Sequence, residues 1–310
     1  MIYTITLNPA LDKTVTISGF CPNTINRITG VRTDPGGKGI NVSKVIHALG
    51  RNSVAFALLA GNTGRAIQDA VNQLGIACEF FFTEGETRTN LKVVDPVNHT
   101  NTDINEPGFV VTPEILDTIL DRLTEMLHPD DIVFFSGTLP PGAPENTYST
   151  WIRRCKECGA KTFFDADGAL LVDGISAVPY LIKPNNNELS GFVGRRLTSH
   201  EEFISAADAL IDRGIDKAVV SLGADGILYI SKNEVIYSEG ISVPVGSTVG
   251  AGDSLAAAFA VAEEEHMSTE DAVTLASAVG AANVMCSGTQ AADYETVKSL
   301  LGRVRLHKLR

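Results

Sequence analysis

The sequence predicts an α/β protein with a mostly parallel central sheet, helices on both faces of that sheet, and a small separate β-sheet. Two observations predict this class. Short apolar strands alternate with amphipathic helical segments along most of the chain, and two polar, strand-like segments, 13–32 and 87–104, interrupt the alternation. Strands separated by helices form βαβ units, which pair in parallel. No linker, repeat or low-complexity tract divides the 310 residues, so we expect a single domain over 1–310.

The predicted strands of the central sheet are short and rich in apolar residues. In chain order they are 2–7, 54–59, 131–135, 162–165, 180–182 and 217–221. Polar or glycine-rich clusters follow the strands that end near 136, 165, 183 and 221. Ligands of open parallel sheets bind beyond the carboxyl ends of the strands, so these clusters are the expected site.

The predicted helices show apolar residues at helical spacing. In chain order they are 40–49, 63–74, 112–127, 144–158, 200–213, 253–265 and 269–286. The first carries Ile40, Val45 and Leu49 on one side, and Gly50 and Gly75 directly follow the first two helices. Glycine commonly ends a helix, which supports both boundaries.

The segments 13–32 and 87–104 are too short to fold alone. We expect them to form a β-lid over the site. A small exposed sheet leaves one face bare, so pairing with a second copy of the chain through the lid, as a homodimer, is expected.

Composition excludes several classes of function. The net charge is −12 with no block of lysine or arginine, which disfavours binding to nucleic acid. No apolar run approaches the roughly 20 residues of a membrane span, and no basic segment precedes an apolar one at the N-terminus. The five cysteines are few, odd in number and unevenly spaced, as in a reducing compartment. We therefore expect a cytoplasmic protein without a membrane partner.

Residues 247–254 are the most informative segment. Two glycines, an alanine and Asp253 precede an apolar helix. Amides at a helix start are unpaired, and the helix dipole favours negative charge there. Such a turn can hold a phosphate or a developing oxyanion. Asp253 at this position is expected to be ionised and to accept a proton from an attacking hydroxyl, so the segment predicts phosphoryl transfer to an alcohol.

One turn and three single residues are further candidates for binding. The turn at 36–41 combines glycines that allow close backbone approach with the charge of Lys38, but a plain tight turn explains it equally well. It lacks the spacing of a Walker A loop. Asp12, after the first strand, could accept two sugar hydroxyls or cap a turn. Arg27 and Arg88, in the lid segments, could clamp an anion or be solvated surface charges.

Three strand-end loops also have two interpretations. The loop 136–142 offers the Ser136 hydroxyl and free amides, or is a rigid loop shaped by two prolines. The segment 183–188 could position phosphate oxygens or a metal-bound water through Asn185 and Glu188, or it could be a capped helix start; both can hold together. The loop 221–226 is a hairpin with left-handed glycines or a loop facing a nucleotide.

These motifs, taken together and in this order, resemble the PfkB family of carbohydrate kinases, which have the ribokinase-like fold. Residues 36–42 are similar to the family's first signature and residues 247–254 to its second, with 183–188 between them. The segment 4–12 resembles the branch that acts on phosphorylated hexoses. Residues 87–92 and 102–108 favour fructose 1-phosphate over tagatose 6-phosphate as the acceptor.

The resemblance implies ATP-dependent phosphorylation of the sugar at carbon 6, giving fructose 1,6-bisphosphate, with ATP and Mg²⁺ required. Asp253 would be the base, assisted by the amides of Gly250, Ala251 and Gly252. The implied sugar ligands are Asp12, Gly37 and Asn41, and those of its phosphate are Lys38, Arg27, Arg88 and Ser136. The implied ATP ligands are Lys183, Asn185, Ser221, Gly223, Gly226 and, near the adenine, Asn283, with Glu188 organising Mg²⁺ through water.

Three alternatives stay open on the sequence. The acceptor could be tagatose 6-phosphate. The chain could be a non-catalytic sensor of sugar phosphates built on the kinase fold. Residues 252–255 spell the GDSL string of a hydrolase family with Ser254 as nucleophile, although no Asp-x-x-His pair follows it.

Overall fold

A computed structural model describes residues 1–310, and it contains two sheets and ten helices. The strands are β1 Ile2–Thr6, β2 Ala10–Thr16, β3 Gly30–Gly36, β4 Ser53–Ala60, β5 Ala77–Thr83, β6 Arg88–Asp95, β7 Thr100–Asn105, β8 Ile132–Ser136, β9 Lys161–Asp165, β10 Leu181–Ile182, β11 Lys217–Ser221, β12 Gly226–Ser231, β13 Val235–Glu239 and β14 Leu306–Lys308. The helices are α1 Lys38–Ala48, α2 Gly61–Gln73, α3 Pro113–Met126, α4 Thr147–Glu157, α5 Gly168–Ser176, α6 Asn186–Val193, α7 His200–Ile211, α8 Ala251–Glu264, α9 Thr269–Val284 and α10 Tyr294–Leu301.

The central sheet has ten strands in the order β5-β4-β1-β8-β9-β10-β11-β12-β13-β14. The seven strands from β5 to β11 run parallel, and β12, β13 and β14 continue the sheet as antiparallel strands. The predicted α/β class with a mostly parallel sheet is therefore confirmed. The antiparallel pairing of β11 with β12 also supports the hairpin interpretation of 221–226.

Helices cover both faces of the central sheet, because successive side chains of its strands are buried in two different hydrophobic cores. Phe135 and Phe164 belong to one hydrophobic core, whereas their neighbours Phe134 and Phe163 belong to another. Successive side chains of a strand point to opposite faces, so each of these strands is buried on both sides. Helices α3, α4, α5 and α7 pack in the first core, and α1, α8, α9 and α10 in the second.

The small sheet has four strands in the order β3-β2-β6-β7. It overlaps the predicted lid segments, but residues 17–29 form the connection between β2 and β3 rather than a strand. Val15 and Val93 of this sheet are buried together with Ile17, the first residue of the connection. Five other apolar side chains of the lid are more than half exposed, at 85% for Ile25, 51% for Ile28, 59% for Val31, 63% for Val97 and 52% for Ile104.

Several elements were not predicted. The edge strand β5, helix α5 and the C-terminal pair of α10 and β14 are absent from the sequence-based assignment. None of the helices combines the length and the apolar character that crossing a bilayer requires.

Candidate active site

A cavity of about 510 Å³ lies between the lid and the carboxyl ends of the central strands. Thr6, Ser136, Asp165 and Ser221 line it from the ends of β1, β8, β9 and β11. Of its 28 lining residues, only Leu91 and Val249 are hydrophobic. A cavity of this size holds a small ligand, and its polar lining suits a sugar phosphate and a polyphosphate rather than an apolar molecule.

The unpaired polar atoms of the protein concentrate in this cavity. Five buried side-chain atoms have no hydrogen-bond partner within the protein, and all five belong to residues that line it: Asn8 Oδ1, Asn41 Oδ1, Asn90 Oδ1, Ser136 Oγ and Asp165 Oδ2. Buried polar groups without partners are costly, so proteins rarely keep them without a purpose. Asp165 Oδ2 lies 3.2 Å from the Lys183 ammonium in an ion pair, and the other four are oxygen atoms that can accept a hydrogen bond.

Asp253 lies in the first turn of α8 and is only 6% exposed. The turn before it is closed by Gly250, which has a left-handed φ of 81°. The amides of Gly250, Gly252 and Asp253 donate to no protein group, whereas the Ala251 amide donates to the Thr248 carbonyl at 3.4 Å. Three amides without acceptors at a helix start are available to an anion, and Asp253 takes the place of Ala251 as the third donor of the predicted anion cradle.

The carboxylate of Asp253 accepts a hydrogen bond of 2.9 Å from Asn41 Nδ2 in α1. Burial raises the pKa of Asp253, while the charge of Lys38 and the Asn41 hydrogen bond lower it and so offset part of this rise. A carboxylate with a raised pKa is a stronger base than an exposed one, which suits proton abstraction from a hydroxyl.

Asp165, which sequence reasoning missed, is the centre of an ion cluster at the end of β9. Its side chain is 2% exposed, and its two oxygens lie 3.2 Å from the ammonium groups of Lys38 and Lys183. Burial opposes ionisation of Asp165, but Lys183 and Lys38 outweigh this and hold its pKa below the usual value. The cluster brings Lys38 beside Lys183, a residue that the resemblance assigns to ATP.

Arg88 points a charge into the cavity without a carboxylate partner. Its guanidinium donates to the carbonyls of Asn8 at 2.9 Å and of Pro9 and Glu106 at 3.4 Å, and to Thr138 Oγ1 at 3.4 Å. Neutral acceptors fix the orientation of the guanidinium, and the nearest influential carboxylate, Asp12, forms no ion pair with it. This arrangement is ready to bind an anion.

Asp12 lines the cavity from β2. Asn90 Nδ2, from the neighbouring lid strand β6, donates to its Oδ1 at 3.2 Å. Gly36 allows the close approach of its other oxygen, because a Cβ at Gly36 would lie 2.0 Å from Asp12 Oδ2. Gly37 has a φ of 112° and would clash with Thr6 if it carried a side chain. The glycines of this turn therefore serve the packing of the site, which supports the interpretation of 36–41 as a tight turn.

The segment 183–188 forms a capped helix start at the cavity wall. The Asn185 side chain accepts from the amides of Asn187 and Glu188, and Glu188 Oε2 accepts from the Asn185 amide at 2.8 Å. The second carboxylate oxygen of Glu188 has no hydrogen-bond partner within the protein. No cluster of three or more His, Cys, Asp or Glu side chains could hold a metal ion without other ligands. The residues therefore fit a Mg²⁺ held mainly by phosphate oxygens and waters, with Glu188 as the nearby carboxylate.

Five predicted site residues lie outside the cavity lining, and one of them is Ala251, whose amide is bonded to Thr248. Arg27 and Gly223 are exposed, Arg27 in the β2–β3 connection and Gly223 in the turn after β11. Gly226 is needed for packing, since a Cβ there would lie 2.0 Å from the Ser238 carbonyl. Asn283 is 3% exposed and donates to the Val249 carbonyl at 3.4 Å, so it supports the cradle from behind.

The other predicted residues line the cavity together. They are Gly250, Gly252, Asp253, Asp12, Gly37, Lys38, Asn41, Arg88, Ser136, Lys183, Asn185, Ser221 and Glu188. Besides Asp165, sequence reasoning missed Asn8, Asn90 and Thr138. The signal for Asp165 was available, because a carboxylate that ends a parallel strand belongs to the edge where ligands bind.

The hydrolase alternative is excluded by the position of Ser254. The side chain is fully buried, and its hydroxyl donates to the Gly250 carbonyl at 2.9 Å in the first turn of α8. It cannot reach a substrate from there.

Comparisons with known proteins agree with this geometry. The model of the pfkB family of carbohydrate kinases matches residues 5–296. The chain is 35% identical to 1-phosphofructokinase of Escherichia coli K12, covering 98% of this chain and 97% of that one. It is 33% identical to 1-phosphofructokinase of Haemophilus influenzae, covering 98% and 97%.

Solved structures show the same architecture. Phosphofructokinase-2 from E. coli superimposes with a TM-score of 0.92 at 28% identity, covering 97% of this chain and 98% of that one. Ribokinase from Thermotoga maritima superimposes with a TM-score of 0.79 at 22% identity, covering 97% and 99%, and supports the fold alone.

Proposed function

Because the chain belongs to the PfkB family of carbohydrate kinases, we propose that it transfers the γ-phosphoryl group of ATP to carbon 6 of fructose 1-phosphate. The products are ADP and fructose 1,6-bisphosphate. The single observation that carries the reaction type is Asp253, a buried carboxylate with a raised pKa, in the same helical turn as three amides without acceptors. A base and an anion cradle so close together suit the attack of a hydroxyl on a phosphoryl group.

The proposed reaction has one chemical step. The oxygen of the hydroxyl at carbon 6 attacks the γ-phosphorus in line, and its proton passes to Asp253. The bond between the γ-phosphorus and the β–γ bridging oxygen breaks, and ADP leaves with that oxygen. The amides of Gly250, Gly252 and Asp253 stabilise the charge on the transferring group, with Lys38 and Lys183 adding two positive charges.

The acceptor is bound on the lid side of the cavity. We assign its hydroxyls to Asp12, Asn41 and Asn90, whose buried or cavity-facing oxygens are available. We assign its phosphate to Arg88 and the unpaired hydroxyl of Ser136. Curated relatives at 33–35% identity over nearly the whole chain are 1-phosphofructokinases, which favours fructose 1-phosphate over tagatose 6-phosphate.

ATP occupies the opposite side, along Lys183, Asn185 and Ser221. Mg²⁺, when bound with ATP, neutralises phosphate charge and orients the γ-phosphoryl group. Glu188 would hold its water shell through the carboxylate oxygen that the helix cap leaves free.

We further propose that two chains pair through the lid. The exposed apolar side chains of Ile25, Ile28, Val31 and Ile104 support this, because a small two-faced sheet is unstable with such groups in water. Arg27, which is remote from the cavity of its own chain, lies in the same exposed part of the lid. Light scattering of the wild-type protein and of Val31→Lys tests the pairing; a monomeric wild type would contradict it.

The proposed activity is tested by measuring ADP release with fructose 1-phosphate, fructose 6-phosphate and tagatose 6-phosphate side by side. We expect the highest kcat/KM with fructose 1-phosphate. A higher value with either of the others would change the acceptor, and no ADP release above the ATPase background with any of them would contradict the kinase assignment.

A further inference from the structure

Lys44 is a buried lysine on α1 that the proposed reaction does not use. The residue is 8% exposed, and its ammonium bonds two segments that are remote in the sequence. It donates to the carbonyl of Pro35 at 2.9 Å and to Thr289 Oγ1 at 3.4 Å. Pro35 lies near the end of the lid strand β3, and Thr289 lies in the loop after α9. One side chain therefore joins the lid to the far wall of the cavity.

A second contact joins the same two segments without Lys44. Gly288, next to Thr289, packs so closely on β3 that a Cβ there would lie 3.0 Å from Asp34 Oδ2 and 3.6 Å from Arg32 Nε. Arg32 and Asp34 are paired with each other at 2.7 Å, so they present a fixed surface to the loop. Gly288 and Thr289 both line the cavity.

The end of α9 and the start of the loop that contains Thr289 pack against the segment that precedes the anion cradle. The amides of Gly246 and Ser247 donate to the carbonyl of Val284 at 2.8 and 3.1 Å. A Cβ at Gly246 would lie 2.5 Å from the Cys286 carbonyl, so the two segments are in close contact. Packed contacts therefore run from the lid strand through Lys44 to the turn before Asp253.

The environment of Lys44 keeps its ammonium charged near neutral pH. Burial lowers the pKa of Lys44 to about 8 and Arg32 adds to this, whereas the carboxylates of Asp34, Asp12 and Asp253 oppose it. A charged ammonium in a buried place needs acceptors, and the two acceptors of Lys44 belong to the lid strand β3 and to the loop after α9. Holding both acceptors at once is therefore favourable.

We propose that Lys44 is a positioning residue that couples binding of the acceptor under the lid to binding of the nucleotide at the cradle. This inference rests on the proposed function. A substrate that orders its own segment also fixes one acceptor of the ammonium, so the second substrate loses less conformational entropy when it binds. The coupling is reciprocal: each substrate tightens the binding of the other by the same factor.

Calorimetric titration tests the coupling directly. The dissociation constant of a non-hydrolysable ATP analogue with Mg²⁺ is measured with and without saturating fructose 1-phosphate. We expect the sugar phosphate to tighten nucleotide binding to the wild-type protein roughly 5-fold or more, the usual lower range of such couplings. The ratio of the dissociation constant without sugar phosphate to that with it should fall towards 1 in Lys44→Met, while each ligand alone still binds. Lys44→Arg, which keeps a charged donor, should restore part of the ratio.

Two further variants keep the test decisive. Thr289→Val replaces one acceptor by a methyl group and should lower the ratio even if Lys44→Met does not fold. Lys161→Met removes a lysine that is paired with Glu263 at 2.7 Å and does not line the cavity, and it should leave the ratio unchanged.

Steady-state kinetics gives a second measure. Lys44→Met should raise the KM for ATP mainly at low sugar phosphate, with kcat at saturation of both substrates nearly unchanged. Two results of the titration would overturn the coupling while leaving the kinase assignment intact. One is that the sugar phosphate tightens nucleotide binding in Lys44→Met and Thr289→Val by the same factor as in an active wild type. The other is that it does not tighten nucleotide binding in the wild type at all. A wild type that binds ATP but no sugar phosphate would overturn both.

Discussion

The side-chain amide of Asn41 donates a hydrogen bond of 2.9 Å to Asp253 Oδ2, across 212 residues of sequence. The bond joins the first turn of α1 to the first turn of α8, and both turns face the cavity. It fixes the carboxylate next to the amide cradle and leaves Asn41 Oδ1 without a partner. One asparagine can therefore orient the base and accept a hydrogen bond from a sugar hydroxyl.

Removal of this hydrogen bond should change the pH dependence of the enzyme. The bond favours the ionised form of Asp253, so Asn41→Ala should raise the pKa of Asp253 beyond the rise that burial already causes. The base must be ionised to act, so the acidic limb of kcat/KM against pH should move to higher pH. A limb at the wild-type position, with only a uniform loss of rate, would mean that Asn41 does not act on the ionisation of Asp253.

Arg88 should bind the phosphate group of the acceptor sugar. Its guanidinium has no carboxylate partner, so Arg88→Ala should raise the KM for fructose 1-phosphate roughly tenfold or more, the value of a lost charged hydrogen bond. The KM for unphosphorylated fructose, measured at high concentration, should change much less. Arg122→Ala, which removes an exposed arginine paired with Glu79, is the matched control. An equal rise in KM for both sugars in Arg88→Ala would contradict the proposed contact between Arg88 and the phosphate.

Asp165 should contribute to stability as well as to the site. Asp165→Asn leaves the ammonium groups of Lys38 and Lys183 without their shared carboxylate, and loss of one partner of a buried pair costs roughly 3–5 kcal/mol. The free energy of unfolding in urea should fall accordingly. The control Asp208→Asn, which breaks a more exposed pair with Arg310, should cost about 1 kcal/mol or less. A similar small loss in both variants would contradict the role of the cluster.

The same residue predicts how stability depends on acid. The pKa of Asp165 is lower in the folded protein than in the unfolded chain, so the unfolded chain takes up a proton first as the pH falls. The stabilisation from Asp165 is therefore complete above the ordinary aspartate pKa and is lost as the pH falls through the folded value. Unfolding curves at several acidic pH values should show this loss in the wild type and a weaker one in Asp165→Asn.

Sequence reasoning predicted the parts of the site that follow from local rules. Each cluster at the end of a parallel strand faces the cavity, because strands of one sheet present their carboxyl ends at the same edge. The free amides before Asp253 follow from a glycine-rich helix start. These features depend on residues that are neighbours in the sequence. The motifs at 36–41 and 247–254 were therefore sufficient to predict where the cavity lies.

The remaining features depend on contacts between distant segments. Lys44 lies on α1, and sequence reasoning expects a lysine on a helix to be exposed to solvent. The burial of Lys44 depends on the lid strand β3 and the loop after α9, which are distant in the sequence and both contact its ammonium. Asn283 lies on α9, which is apolar on most sides, so periodicity could not tell whether it faces the cavity or the back of the cradle. The family resemblance assigns Gly226 to ATP, but the group that lies against it is the Ser238 carbonyl.

The base is tested most directly by single-turnover phosphoryl transfer in Asp253→Asn. The amide has the shape of the carboxylate but cannot accept the proton of the attacking hydroxyl, so substrate binding should remain within a few-fold. The rate of fructose 1,6-bisphosphate formation should fall by about 10²–10⁴, the usual contribution of a general base. A rate comparable to that of the wild type, with both substrates bound, would show that Asp253 is not the base.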